Sequence, residues 1–109
     1  MQKKIHKILN ELGVPFASVG REMLAYAIET VYENGRVETI NELYTIIGER
    51  FNSSYENTVQ RIKRVIKKSS ENANREVVNR IFGNTVSKSG KLTNMDFIYG
   101  VVEYLKIYG

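Results

Sequence analysis

The fold is decided by Glu38–Lys68, ETINELYTIIGERFNSSYENTVQRIKRVIKK, a segment that predicts two helices joined by a very short turn. Asn52 lies between the two helices, and asparagine tolerates the left-handed backbone conformation that a sharp turn requires. Two residue pairs have the spacing of a capping box at a helix start: Thr39 with Glu42, and Ser53 with Glu56. The pattern favours a helix-turn-helix, a motif whose second helix can enter the major groove of DNA.

Positive charge is concentrated in the second of these helices. The chain has 16 Lys and Arg residues and 12 Asp and Glu residues, a formal net charge of +4. Five of the cations and one anion lie between Ser54 and Lys68, so this stretch holds the whole excess and the remaining 11 of each sign cancel. A positive field on one helix is typical of a surface that binds phosphates. The alternative interpretation is a solvated, charged face on an ordinary bundle helix.

The length and composition indicate one globular domain over residues 1–109. A hydrophobic content of 42% and a charged content of 26% are ordinary for a folded protein. The absence of cysteine excludes disulfides, thiolate nucleophiles and cysteine-based zinc sites, and it suits a reducing cytosol. The apolar runs are far shorter than the ~20 residues that a membrane span needs. We therefore expect a cytoplasmic protein without a membrane segment.

Apolar residues at helical spacing, bounded by start and stop signals, predict four more helices. They fall at Lys3–Leu12, Gly20 to Asn34, Arg75–Phe82 and Asn94–Tyr108. The predicted fold is all-α, a compact six-helix bundle in which helices three and four form the helix-turn-helix. The last helix has a broad apolar surface, which indicates either deep burial or a partner.

The arithmetic of 100° per residue divides the fourth helix, predicted at 54–68, into two sides. Ile62, Val65 and Ile66 face inward with Tyr55 and Thr58. The opposite side has Asn57, Gln60, Lys63, Arg64 and Lys67, and Val59 and Arg61 lie on the flanks. This division predicts which side chains are available to a ligand.

Three stretches of sequence resemble a known family. They are IHKILNELGVP at Ile5–Pro15, IFGNTVS at Ile81–Ser87, and the pattern of Gly90, Lys91, Thr93, Asn94, Phe97 and Ile98. Together they are similar to the C-terminal effector domain of the stage-zero sporulation response regulator, the transcription factor that governs entry into sporulation. The similarity extends over essentially the whole chain. It implies a six-helix domain that binds a short DNA box, often as tandem copies.

The resemblance also implies residue roles in DNA binding. The base-reading positions of the family, where arginines read guanines, fall on Asn57, Gln60 and Lys63, and an acidic family position becomes Val59. Only Lys63 keeps the charge. Since Asn and Gln pair with adenine and a valine can touch a thymine methyl, we expect a box shifted towards A·T.

Phosphate contacts are predicted for a set of cations, which are Arg61, Arg64, Lys67, Lys88 and Lys91. The last two lie in the turn-rich stretch Asn84–Leu92, which is either a loop that grips the DNA backbone or a plain surface connection.

Two protein contacts are implied by the resemblance alone. The family touches a sigma subunit of RNA polymerase through positions that align with Val77, Phe82 and Val86, although three apolar residues are also typical of a core. A homodimer on tandem sites would use the last helix, with Val102 near its middle. We expect the protein to be associated with the nucleoid.

Other classes of function are less well supported by the sequence. A catalytic role is not expected, because there is one histidine, no cysteine and no phosphate-cradling glycine motif. The carboxylates form no metal-ligand cluster in the sequence, so neither a metal nor a cofactor is expected. The stronger alternative is a helical protein–protein adaptor that binds polymerase or a regulator without reading DNA. Salt dependence separates the two functions, because DNA binding releases counterions and weakens steeply as salt rises.

Overall fold

Six helices form in the residues that the structure describes, at or close to the start and stop signals of the sequence. The computed structural model describes residues 1–35, 39–83 and 92–109. The helices are α1 (Gln2–Glu11), α2 (Val19–Asn34), α3 (Ile40–Phe51), α4 (Tyr55–Asn72), α5 (Arg75–Phe82) and α6 (Asn94–Tyr108). Within those ranges there is no strand, so the predicted all-α, six-helix fold is confirmed.

Side-chain caps begin most of these helices. The hydroxyl of Thr39 accepts from the backbone N–H of Glu42 at 3.1 Å, which confirms the Thr39 half of the predicted capping box. A complete capping box forms at α6, where Thr93 and Asp96 each accept a hydrogen bond from the other's backbone. Asn74 caps α5, again at the predicted residue. Each such cap typically stabilises a helix by ~1 kcal/mol, so local chemistry fixes these boundaries.

The start of α4 differs from the prediction. Asn52 has the expected left-handed conformation, with φ 50° and ψ 49°. The cap, however, is Ser54, whose hydroxyl accepts from the N–H of Asn57 at 3.2 Å. Ser53 still belongs to the turn, because its N–H donates to the carbonyl of Gly48 at 2.9 Å. The predicted pairing of Ser53 with Glu56 is therefore wrong by one residue.

The end of α4 is also later than predicted, at Asn72 instead of Lys68. Ser69 is only 2% exposed, and its hydroxyl donates to the carbonyl of Leu12 at 2.6 Å. A polar residue that lies three and four positions after two core residues continues the buried side of the helix. The serine-rich stretch therefore extends α4 by one turn.

The core is organised around α2, which packs against α1, α3, α4 and α6, while α5 packs against α6. The largest fully buried side chains come from every helix except α5, and they include Phe97, Leu9, Leu24, Leu43 and Ile62. In α6 the apolar residues Phe97, Ile98, Val101, Val102 and Leu105 are buried. Deep burial thus explains most of the apolar width of the last helix.

One cation is buried where α1 meets the start of α2. The Arg21 side chain is 4% exposed and donates to the carbonyl of Val14 at 2.9 Å, the amide oxygen of Asn10 at 2.7 Å, and both the carbonyl and Nδ1 of His6 at 3.2 Å. Burial lowers the pKa of Arg21 below its usual value, and nearby Glu22 opposes that shift. Arg21 therefore joins α1 to the start of α2 through four hydrogen bonds that its guanidinium group donates.

Candidate nucleic-acid interface

The candidate interface is built on α4, whose inner side is anchored in the core. The buried residues of α4 are Thr58, Ile62, Val65, Ile66 and Ser69, a stripe at helical spacing. Ile62 is 0% exposed. The hydroxyl of Thr58 donates to the carbonyl of Ser54 at 2.8 Å, so this buried polar group is satisfied. The stripe confirms the predicted inward residues except Tyr55, which is 45% exposed at the first position of the helix.

The outer side of α4 consists of exposed polar and cationic residues. Asn57, Gln60 and Lys63, the predicted base-reading residues, are all exposed, whereas Val59 is half-buried against the core. The predicted phosphate-binding residues Arg61, Arg64 and Lys67 are exposed as well. The helix is therefore polar and positive on the side that faces solvent.

The charge of this side is reduced at its far end. The additional turn of α4 brings Glu71 within 3.8 Å of Lys68, and both side chains are about half exposed. Such a surface ion pair contributes little to stability, on the order of 0–1 kcal/mol. It does offset one cation, so the field of α4 is strongest from Arg61 to Lys67.

Two glycines let neighbouring backbones approach α4 closely. A Cβ at Gly48 would lie 2.7 Å from the carbonyl oxygen of Ser53 and 3.3 Å from the hydroxyl of Thr58. A Cβ at Gly20 in α2 would lie 2.6 Å from the carbonyl oxygen of Arg61 and 2.9 Å from a methyl group of Val65. The first contact fixes the start of α4 against α3, and the second fixes its middle against α2.

The far end of α4 is held by the turn after α1. In addition to the bond from Ser69 to Leu12, the amide of Asn72 donates to the carbonyl of Gly13 at 3.5 Å. Gly13 has φ +71°, and a Cβ there would lie 2.8 Å from the Cβ of Asn72. Glycine is the residue that combines this backbone conformation with so close an approach. Contacts at both ends and in the middle thus join α4 to α3, to α2 and to the turn after α1.

A family model described as "Sporulation initiation factor Spo0A C terminal" matches residues 5–105 of the chain. The match includes every helix that contributes to the surface around α4. The chain belongs to this family. It is therefore a DNA-binding, transcription-regulating domain of the Spo0A C-terminal type, and the family is not one of enzymes. The resemblance given by Ile5–Pro15 and the later motifs is confirmed.

The remaining sequence predictions concern residues away from α4. Lys88, Lys91 and Val86 lie outside the described residues. Of the other two positions aligned with the sigma contact, Val77 is half-buried and Phe82 is 4% exposed. The ring of Phe82 packs on that of Phe97, with centroids 5.2 Å apart. Phe82 is thus a core residue of this Spo0A-type domain, and of the pair Val77 is the more accessible.

In residues 1–35, 39–83 and 92–109, no group of three or more His, Cys, Asp or Glu residues could hold a metal ion. None of the helices there is long and apolar enough to cross a membrane.

A polar cluster on the α6 side of the interface was missed by the sequence analysis. The amide nitrogen of Asn94, the first residue of α6, donates to the hydroxyl of Tyr44 at 2.8 Å. It also lies 3.5 Å from the carbonyl oxygen of Val59 in α4. The sequence indicates Asn94 only as part of a family motif, because residues this far apart in sequence give no local signal of contact.

Tyr44 should make the stability of the domain sensitive to alkaline pH. Burial raises the pKa of Tyr44 above its usual 10.0; the hydrogen bond from Asn94 lowers it and nearby Tyr55 raises it further. The stabilisation is complete below the unfolded-state pKa and is lost as pH rises through the folded-state pKa, because the unfolded chain ionises first. We expect the difference in melting temperature between the wild type and Tyr44→Phe to fall as pH rises from about 9, below the unfolded-state pKa, through the folded-state pKa. A difference that stays constant over that range would contradict this account.

Proposed function

We propose that the domain reads a short box of double-stranded DNA by placing α4 in the major groove. In this proposal α3 and α4 act as a helix-turn-helix within a single effector domain spanning 1–109. The observation that carries it is the two-sidedness of α4: Asn57, Gln60 and Lys63 are exposed on a helix whose other side is buried along its length. The membership in a DNA-binding family supports the same conclusion.

Base recognition is assigned to four residues of α4, namely Asn57, Val59, Gln60 and Lys63. Asn and Gln side chains can donate to N7 and accept from N6 of adenine, whereas Lys suits the O6 and N7 acceptors of guanine. Val59 is half-buried, so only part of its side chain is available to a thymine methyl. We therefore propose a box that is richer in A·T pairs than one read by arginines at these positions.

Phosphate contacts are assigned to Arg61, Arg64 and Lys67, the cations that share the exposed side of α4. They would position the helix and supply affinity without sequence information. Lys88 and Lys91 are proposed as further phosphate contacts on the basis of the sequence alone.

The proposal is tested by selecting bound duplexes from a random pool and titrating salt against the selected duplex. We expect recovery of one short box with A·T pairs at one or two positions, and steep loss of affinity between about 50 mM and 200 mM salt. Recovery of an unaltered guanine-rich family box would contradict the proposed base shift. Little salt dependence and no enriched box would instead favour a protein–protein adaptor.

Two substitutions on α4 should separate base reading from phosphate binding. Gln60→Ala should weaken binding to the selected box and relax the preference at one base pair, at a cost of about 1–3 kcal/mol in discrimination. Lys67→Ala should weaken binding to all duplexes alike and reduce the salt slope by about one. Lys3→Ala, which removes an exposed cation on α1, is the control for charge alone. Identical effects of the two α4 substitutions across sequences would overturn the proposed orientation of the helix.

We also propose two protein partners for the domain, a polymerase sigma subunit and a second copy of the domain itself. Contact with a polymerase sigma subunit would use Val77 at the surface, with Phe82 and Val86 as the aligned neighbours. A homodimer on tandem sites would use the exposed end of α6, where Ile107 is 69% and Tyr108 is 72% exposed, because Val102 itself is buried. A domain that acts on DNA in this way would be a cytoplasmic, nucleoid-associated protein.

A further inference from the structure

The side-chain amide of Asn94 joins α6 to the stretch of α4 that carries the base-reading residues. Its nitrogen has two hydrogens, and its neighbours are the hydroxyl of Tyr44 at 2.8 Å and the carbonyl oxygen of Val59 at 3.5 Å. A carbonyl can only accept, so the nitrogen of the amide, not its oxygen, must face Val59. One hydrogen of the amide therefore points to Tyr44 in α3, and the other points to Val59 in α4.

The position of Asn94 is itself fixed. The capping box formed by Thr93 and Asp96 fixes the backbone of the first turn of α6, which includes Asn94. Phe97 and Ile98, in the same turn, are at most 1% exposed and anchor it in the core. Through Asn94, this fixed first turn of α6 is bonded to α4.

The same cluster continues through Tyr44 to the start of α4. The rings of Tyr44 and Tyr55 meet edge to face, with centroids 5.7 Å apart and an interplanar angle of 89°. The hydroxyl of Tyr55 in turn donates to the side-chain oxygen of Asn41 in α3. Asn94 thus contacts α4 directly at Val59 and indirectly, through two aromatic rings, at its first residue.

We propose that Asn94 is a positioning residue for sequence recognition, and this inference rests on the proposed function of α4. The contacted carbonyl belongs to Val59, which lies between Asn57 and Gln60 and one turn before Lys63. The hydrogen bond from Asn94 fixes how this turn of α4 is rotated about the helix axis, and how far its side chains reach into the DNA groove. Hydrogen bonds to base edges depend steeply on distance and angle, whereas long cationic side chains can follow a phosphate. Loss of Asn94 should therefore reduce discrimination more than overall affinity.

The readout is the specificity ratio, the affinity for the selected duplex divided by that for a scrambled duplex of equal length. In Asn94→Ala we expect this ratio to fall about threefold to tenfold, with the affinity for the scrambled duplex nearly unchanged. The shape-conserving Asn94→Asp should lose at least as much, because a carboxylate cannot donate to the Val59 carbonyl. Tyr44→Phe removes only the hydroxyl, and we expect a smaller fall of about twofold to threefold.

The matched control is Ser69→Ala. It removes a buried hydrogen bond from the same helix, but at the end remote from Val59. Its melting temperature should fall while its specificity ratio stays at the wild-type value. Circular dichroism at the binding temperature confirms that each variant is folded, and if Asn94→Ala fails this check, the decision rests on Asn94→Asp and Tyr44→Phe.

Two results would overturn the positioning role. One is an unchanged ratio in folded Asn94 variants, and the other is an equal fall in Ser69→Ala, which would indicate a general effect of stability. Failure of the proposed function is distinguishable from both, because the wild type itself would then bind the two duplexes equally.

Discussion

Replacement of Ile62 by alanine should lower the free energy of unfolding by about 2–5 kcal/mol, the cost of truncating a well-packed core residue. Ile62 is 0% exposed and lies at the centre of the buried stripe of α4. Its removal leaves a cavity that the surrounding helices cannot close completely. Urea unfolding monitored by circular dichroism should show a lower midpoint with an unchanged slope.

The control for this substitution is Ile107→Ala. The same atoms are removed, but from a side chain that is 69% exposed at the end of α6. We expect a change within about 0.5 kcal/mol. Well below its melting temperature, Ile62→Ala should still select the wild-type DNA box, because none of the exposed residues of α4 is altered. Equal stability of the two variants would mean that Ile62 is not in the core.

Substitution of valine for Gly20 should destabilise the domain by about 1–3 kcal/mol or more, the usual cost of overpacking. A Cβ at this position would already lie 2.6 Å from the carbonyl oxygen of Arg61, and valine adds two methyl groups. The obstructing atom is backbone, so it cannot move aside without displacing α4 from α2. Gly20→Ala should show the same effect more weakly, and thermal unfolding measures both.

Glu33→Val is the matched control for Gly20→Val. It places valine in the same helix, α2, at an exposed position, and therefore tests helix propensity without the steric contact. Its melting temperature should stay near that of the wild type. Because Gly20 faces the middle of α4, we also expect Gly20→Ala to weaken sequence-specific DNA binding at temperatures where it is folded. Wild-type stability in Gly20→Val would contradict the close helix contact.

The helices themselves were largely predictable from the sequence because their signals are local. Thr39, Asn74 and Thr93 are short polar residues placed just before apolar periodic stretches, and each caps the expected helix. The 100° rotation per residue predicted that Asn57 and Gln60 would be exposed on α4, and they are. These features depend on residues within one or two turns of each other.

The errors at α4 arose where two local signals compete, at its start, and where a tertiary contact overrides the local signal, at its end. Ser53 and Ser54 are both good caps, and the bond from Ser53 to Gly48 decides between them. At the other end of α4, the sequence around Ser69 resembles the polar end of a helix. The structure shows instead that Ser69 is bonded to Leu12, 57 residues away in sequence. The contacts of Gly20 and Asn94 with α4 also join distant residues. No periodicity or spacing in a single sequence could have indicated them.

The way in which α4 is held has a consequence for how its specificity could diverge. Gly20 and Asn94 contact carbonyl groups of α4, at Arg61 and Val59, and these groups are the same whatever side chain a residue has. The exposed side chains of α4 therefore take no part in these two contacts. Exchange of Asn57 and Gln60 for other polar residues, in a paralogue or by design, should therefore change the DNA target sequence and leave the fold of the domain unchanged.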